Sequence, residues 1–247
     1  MRLKLCIAVS SVVSTIMSGG SSAVITKVNK DIKIVMNPGG SNMIATYEND
    51  LEGRGGIVFD AGYERLLKSS AGMYDNNNYI ANIANWLEEH NNSLNSGNIL
   101  IYNTFNKSGL DNNAISEYAV VTMGQENSYE VMLTDRIKTP EITEALLENY
   151  SQLWVVFGES GSDCCFAESE LEAISGFAES GSSMFIVAGI DEDSVSSNLT
   201  GANSMSSRFG VTFSGQVKNE DELRISTSAY FFDRISGLLG SIYRAMT

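Results

Sequence analysis

Leu153-Trp154-Val155-Val156-Phe157-Gly158, then Glu168 to Ser180, then Ser183-Met184-Phe185-Ile186-Val187-Ala188-Gly189 is the stretch on which the fold turns. The first and last pieces are continuous apolar runs without alternation, the pattern of strands covered on both faces. The middle piece repeats its apolar residues with helical spacing. From Gln152 to Asp191 these pieces predict one βαβ unit. Such a unit implies an α/β class with a mainly parallel central sheet and right-handed crossovers, and it puts ligand sites beyond the carboxyl ends of the strands.

Upstream, Tyr129 to Leu133 predicts a strand ending at Thr134-Asp135, followed by a short helix with Pro140 at its first position. Asn98 to Tyr102 predicts another strand, and Asp111 can cap a helix from Ala114 to Met123. The polar run Asn91 to Gly97 is the clearest internal boundary. Before it, Ile80, Ile83, Ala84 and Leu87 share one face of a helix, with Trp86 at its flank and His90, the single histidine, in its last turn. A cation there complements the helix dipole, so His90 is expected to cap rather than to catalyse. Ile32 to Met36, Asn42 to Tyr47 and Ile57 to Phe59 predict three more short strands, the last ending at Asp60. Downstream come a Ser/Asn-rich loop from Ser194 to Thr200, a helix through Met205 and Arg208, a stop and strand over Phe209 to Phe213, and a helical stripe from Ala229 to Met246.

The chain has 247 residues, 43% of them hydrophobic, enough for one sizeable core. Arg2 and Lys4, an apolar run from Leu5 to Met17 and the small residues Ser21-Ser22-Ala23 predict a secretory leader over 1–23. Residues 24–90 then form a strand-and-helix segment that completes or precedes the sheet, and 91–247 the main α/β domain. The net charge of −14 becomes −16 once Arg2 and Lys4 leave, since all 30 acidic residues stay. That surface disfavours nucleic acid and anionic lipid as partners. Loss of Cys6 leaves only Cys164 and Cys165, adjacent in the chain. In an oxidising compartment the two form a vicinal disulfide, pair with another molecule or stay as buried thiols.

Leu153 to Val156, then Phe166 to Ile174 and Phe177, Gly181 and the second buried strand together resemble class I glutamine-amidotransferase-like domains. The similarity is to their non-catalytic, flavodoxin-like branch, found in secreted bacterial proteins, intraflagellar-transport components and accessory modules of M60-like metallopeptidases. Asn203 with Arg208 to Val211 resembles that branch's next helix and turn. Gly53 to Asp60, with Asn82, Asn85, Trp86 and Leu87, resembles the strand and helix that close such a domain. Here the closing piece comes first, so it is either the tail of a preceding repeat or part of the same sheet in permuted order. The resemblance implies a flavodoxin-like three-layer sandwich.

Active members of the superfamily need a cysteine on a sharp turn after a strand, served by a histidine and an acid. Asp191 occupies that place, and His90 lies in a remote helix end. The triad is therefore missing from the sequence, and no amidotransfer is expected. A second constellation consists of Asp60, Asn103, Asp135, Glu159, Asp163 and Asp191 at or near strand ends. On a parallel sheet these groups face one rim, where carboxylates and amides suit calcium or the hydroxyls of a glycan. The plain alternative is that they cap helices and fill turns. Tyr63, Tyr74, Tyr79 and Trp86 form a candidate stacking surface, although helical spacing assigns Tyr79 and Trp86 to the core. The Asn-x-Ser/Thr sequons at Asn91, Asn106, Asn149 and Asn198 are expected by chance in so Asn- and Ser-rich a chain.

The sequence thus predicts a protein secreted to the periplasm, medium or cell surface, acting as a non-catalytic module for a glycan or protein partner. One alternative is a hydrolase using carboxylates such as Glu159 and Asp191 as acid and base. Another is an accessory domain of a secreted M60-like metallopeptidase.

Overall fold

A computed structural model describes residues 15–17, 22–36, 41–48, 53–67, 70, 73–95, 97–104, 129–157, 166–189, 199–217 and 222–224. In chain order the strands and helices are β1 (Thr15–Met17), β2 (Ser22–Val28), β3 (Ile32–Met36), β4 (Ile44–Tyr47), β5 (Ile57–Asp60), α1 (Asn76–Glu89), β6 (Asn98–Asn103), β7 (Glu130–Asp135), α2 (Glu144–Leu147), β8 (Gln152–Phe157), α3 (Glu168–Glu179), β9 (Ser183–Ala188), α4 (Leu199–Ser206), β10 (Val211–Val217) and β11 (Glu222–Arg224). The predicted helices over 114–123 and 229–246 lie outside the described residues.

The main sheet runs β3-β4-β5-β9-β8-β6-β7. From β5 to β7 every neighbour is parallel, while β4 runs against both β3 and β5. If β6 is counted first and β5 fifth, the parallel part reads 2-1-3-4-5, the doubly wound order of flavodoxin-like sheets. The strand that closes such a sheet therefore comes early in this chain. It hydrogen-bonds beside β9, with Ile57 opposite Met184 and Asp60 opposite Val187.

Why β8 and β9 carry unbroken apolar runs is now plain. All six residues of each are buried, and alternate side chains go to opposite faces. Phe59, Tyr102, Val155 and Ile186 join Leu171, Ile174 and Phe177 of α3 and Met205 of α4 in one layer. Val58, Ile101, Trp154 and Phe185 join Ile80, Ile83, Trp86 and Leu87 of α1 in the other. Helices on both faces of a central sheet make the expected three-layer sandwich.

One predicted detail differs. The helix expected to begin at Pro140 begins after Thr143, whose Oγ1 accepts from the Leu146 amide at 3.2 Å. A hydroxyl that satisfies an orphan amide outweighs the preset φ of proline. The segment read as a leader contributes β1, which pairs antiparallel with β11, and Ile16 is fully buried in the α1-side layer. Ala23 is also buried, its amide donating to the Ala61 carbonyl at 2.9 Å, and β2 pairs with β10. Cleavage after Ala23 would remove β1 and cut within β2.

Gly55 lies where the chain enters β5. A Cβ there would stand 2.0 Å from the Ser182 carbonyl oxygen, and the Gly55 amide donates to the Ala178 carbonyl at 3.1 Å. Backbone cannot move aside as a side-chain tip can. Gly55→Ala is expected to cost about 1–3 kcal/mol, the usual range for overpacking, read as a lower urea midpoint at unchanged slope.

Candidate functional site

In a doubly wound sheet the ligand crevice opens where the strand order reverses, here between the carboxyl ends of β6 and β8. Asp60, Val187, Val156, Asn103 and Asp135 are in register across that end of the sheet. Asn103 and Asp135 are neighbours in this row, about 4.8 Å apart by strand spacing. Asp60 stands three strands from Asn103, about 14 Å by the same spacing. One rim thus carries all three, but they do not meet at one point. Glu159, Asp163, Asp191, Cys164 and Cys165 lie outside the described residues.

Each described carboxylate of the row is held by its own loop. Asp60 is 1% exposed. Its Oδ1 accepts from the Gly62 amide at 2.9 Å and from Arg65 Nη1, and its Oδ2 accepts from the Tyr79 hydroxyl at 2.7 Å. The same Arg65 nitrogen donates to the Gly62 carbonyl at 3.2 Å. Burial pushes the Asp60 carboxyl up, against the pull of Arg65, Tyr79 and the Gly62 amide, and it pushes the Tyr79 hydroxyl well above its ordinary value. Asp135 accepts from the amides of Ile137 and Lys138 at 3.0 and 2.9 Å, and Lys138 Nζ lies 3.8 Å from its other oxygen. These are turn-capping roles, the plain reading of such residues. Asn103 is buried, and beside it the Thr104 amide and hydroxyl both donate to the Val156 carbonyl, at 3.1 and 3.0 Å, closing the β6–β8 seam.

A second cluster at this end went unnoticed in the sequence. Arg136, in the turn after β7, donates from Nη1 to Glu170 in the first turn of α3 and to the Pro140 carbonyl at 2.8 Å. Its guanidinium carbon lies 4.8 Å from the centre of the Phe166 ring and 5.6 Å from that of Tyr102. Glu170 also accepts from the Ile142 and Ala167 amides, at 3.0 and 2.8 Å. One carboxylate thus ties the start of α3 to the loops around β7. The legible signal was half of a capping box, Glu170 three residues after the N-cap Ala167. Burial pushes the Tyr102 hydroxyl up to about 12.

Burial alone would raise the Glu170 carboxyl, but the bonds from Arg136, Ile142 and Ala167 outweigh it and hold the group below its usual range. A folded value below the unfolded one means stability that is present above about pH 4.3 and is lost as the pH falls through the folded value. The stability gap between the native chain and Glu170→Gln is therefore expected to be flat from neutral pH to about pH 5 and to shrink below about pH 4.3. Urea melts of both proteins across that range check this.

His90 is the C-cap of α1. Its Nδ1 lies 2.8 Å from the Trp86 carbonyl, and its ring stacks on the Trp86 indole at 4.0 Å. Of the four candidate stacking residues, Tyr63, Tyr79 and Trp86 are buried and Tyr74 is 40% exposed. Among the described residues no group of three or more His, Cys, Asp and Glu side chains is placed to hold a metal ion. Also among them, no helix is long and apolar enough to cross a membrane.

No protein-family profile matches the sequence, and no curated protein matches it. Solved structures do resemble the fold. The IMPa metallopeptidase from Pseudomonas aeruginosa is 12% identical, with a TM-score of 0.52 over 83% of this chain and 20% of that one. IMPa in complex with an O-glycopeptide is 12% identical, with a TM-score of 0.56 over 89% of this chain and 23% of that one. IMPa in complex with T-antigen is 11% identical, with a TM-score of 0.54 over 87% and 22%. At such identity the likeness is one of fold. It agrees with the part of the sequence resemblance that pointed to modules of M60-like metallopeptidases. This chain spans about a fifth of the length of these neighbours.

Proposed function

We propose that this chain is a non-catalytic binding module of a larger secreted or cell-surface protein, an accessory domain of an M60-like metallopeptidase whose partner is a glycan or a glycosylated protein. The observation that carries this reading is the fold likeness, which takes in most of this chain and only about a fifth of each metallopeptidase. Further support comes from the ligands of two of those neighbours, an O-glycopeptide and T-antigen. The scaffold is read as the non-catalytic branch of the glutamine-amidotransferase-like superfamily, because Asp191 stands where the catalytic cysteine would be needed. Asp60, the rim acid at the end of β5, is spent on Arg65 and Tyr79 and is closed to solvent.

The test is calorimetric titration of the full chain with a glycopeptide bearing the T-antigen disaccharide and with the same peptide unglycosylated, in calcium and in chelator. Mass spectrometry then follows both peptides for cleavage. Saturable, glycan-dependent binding without cleavage is the expected result. Cleavage would transfer the reading to a carboxylate hydrolase, and absence of heat from either peptide would overturn the glycan partner.

A further inference from the structure

The opposite edge of the sheet carries a cavity of about 390 Å³ at the amino ends of β6, β8 and β9. Leu147, Ala173 and Phe177 give it a buried apolar wall, and Leu94, fully exposed, stands at its lip. Glu144 and Glu148, four residues apart across α2 and its C-cap, also line it, and both are exposed. Among the described residues no basic side chain pairs with either, and no Lys, Arg or His lines the cavity. Like charges at this spacing on a helix repel each other.

Gly176 is an independent observation. It lines the cavity from the interior of α3, where glycine weakens a helix relative to alanine. Among the described residues, and apart from its own helix backbone and chain neighbours, an added Cβ would meet no atom within 4 Å. Gly176 has an ordinary helical backbone, with no positive φ. A glycine that neither the backbone nor the described packing requires, facing an open cavity, fits close approach by a ligand.

We propose that this cavity receives a lysine or arginine side chain of a partner polypeptide, the aliphatic stem lying on Phe177 and Leu147 and the cationic head between Glu144 and Glu148. Long basic side chains are apolar along the stem and charged at the tip, the same division that the cavity shows between wall and mouth. The net charge of −14 draws a basic segment towards the chain.

This inference rests on the reading of the chain as a binding module. A library of short random peptides is selected on the full chain, and the recovered peptides are measured on Gly176→Leu, Gly176→Ala and the double variant Glu144→Gln/Glu148→Gln. The expected peptides carry a lysine or arginine whose removal abolishes binding. They bind at least about tenfold more weakly to Gly176→Leu and to the double variant, the loss of a charge-assisted contact. They also weaken as salt rises from about 50 to about 500 mM. Gly176→Ala serves as the fold control and should melt about 2–4 °C higher, a gain in helix propensity. Recovery of no peptide, of peptides without a basic residue, or of peptides that bind Gly176→Leu unchanged overturns the proposal. If the glycopeptide still binds in that case, only this inference falls; if neither ligand binds, the module reading falls with it.

Discussion

Asp60→Ala is expected to lower the stability of the chain by about 3–5 kcal/mol, the range for breaking a buried ion pair from one side. Arg65 and Asp60 are 0% and 1% exposed along their side chains, so truncation removes the carboxylate that meets the guanidinium charge in the interior. The Tyr79 hydroxyl loses its 2.7 Å acceptor and the Gly62 amide its 2.9 Å acceptor in the same step. Replacing both charges is a different experiment, because it removes the desolvation cost together with the attraction. Asp60→Leu/Arg65→Leu should recover most of the loss, as apolar replacements of buried pairs often do. Urea denaturation of the native chain, Asp60→Leu, Arg65→Leu and the double variant gives the coupling directly. A single-variant loss below about 1 kcal/mol would mean that Asp60 contributes no more than a surface pair. It would then be a candidate for ligand contact after all. A binding-competent double variant would place Asp60 outside the binding surface.

The contrast between Asp60 and β8 shows what was legible in the sequence and what was not. Burial of β8 and β9 on both faces follows from composition alone, because five consecutive apolar residues in each have no polar face to offer. The face of α1 was legible for the same reason, through its helical spacing. Asp60 is the last residue of a strand, and that much was also readable. Its role depends on Arg65, brought over it by the short turn Tyr63–Leu66, and on Tyr79 from α1. No periodicity encodes such a meeting. Arg136 and Glu170 lie 34 residues apart and meet only because β7 ends and α3 begins at the same edge of the sheet. The position of β5 beside β9 is a pairing between segments more than a hundred residues apart, so local reading had left a preceding repeat and a permuted sheet equally open.

This placement bears on function. The closing strand and α1 enclose the carboxyl end of β9 from one side. Tyr63 lies so close to Gly189 that a Cβ there would stand 1.8 Å from its ring. At the reversal of strand order, the Thr104 bonds to Val156 occupy the seam between β6 and β8. In the described part of the carboxyl rim, Asp60 and Asp135 are thus each held by groups of their own surroundings. The amino edge differs, with two exposed carboxylates, an exposed leucine and a helical glycine around an open volume. If the amino edge is where a partner binds, recognition and the buried ion pair at Asp60 lie at opposite ends of the same sheet.

Trp154→Ala is expected to cost about 3–5 kcal/mol, the range for deleting a buried large aromatic. The side chain is 0% exposed at the centre of the sheet, edge-on to Phe185 of β9 with ring centres 4.9 Å apart. Its Nε1 donates to Gln152 Oε1 at 3.1 Å, and the Gln152 amide nitrogen donates to the Ala84 carbonyl at 3.0 Å and to Glu88 at 3.2 Å. Trp154 therefore does two things: it fills the α1-side layer, and it orients the amide that fastens the end of α1 to β8. Trp154→Phe separates them, since it keeps most of the volume and loses the donor. Its expected cost is about 1–3 kcal/mol, that of a buried acceptor left without its partner. Hydrogen exchange supplies the second readout. In Trp154→Ala the amides of α1 should lose protection before those of α3, which packs on the opposite face. Equal loss on both faces would mean that the two layers unfold as one unit. In that case the permuted strand and its helix are as integral to the domain as the βαβ unit that made the fold legible.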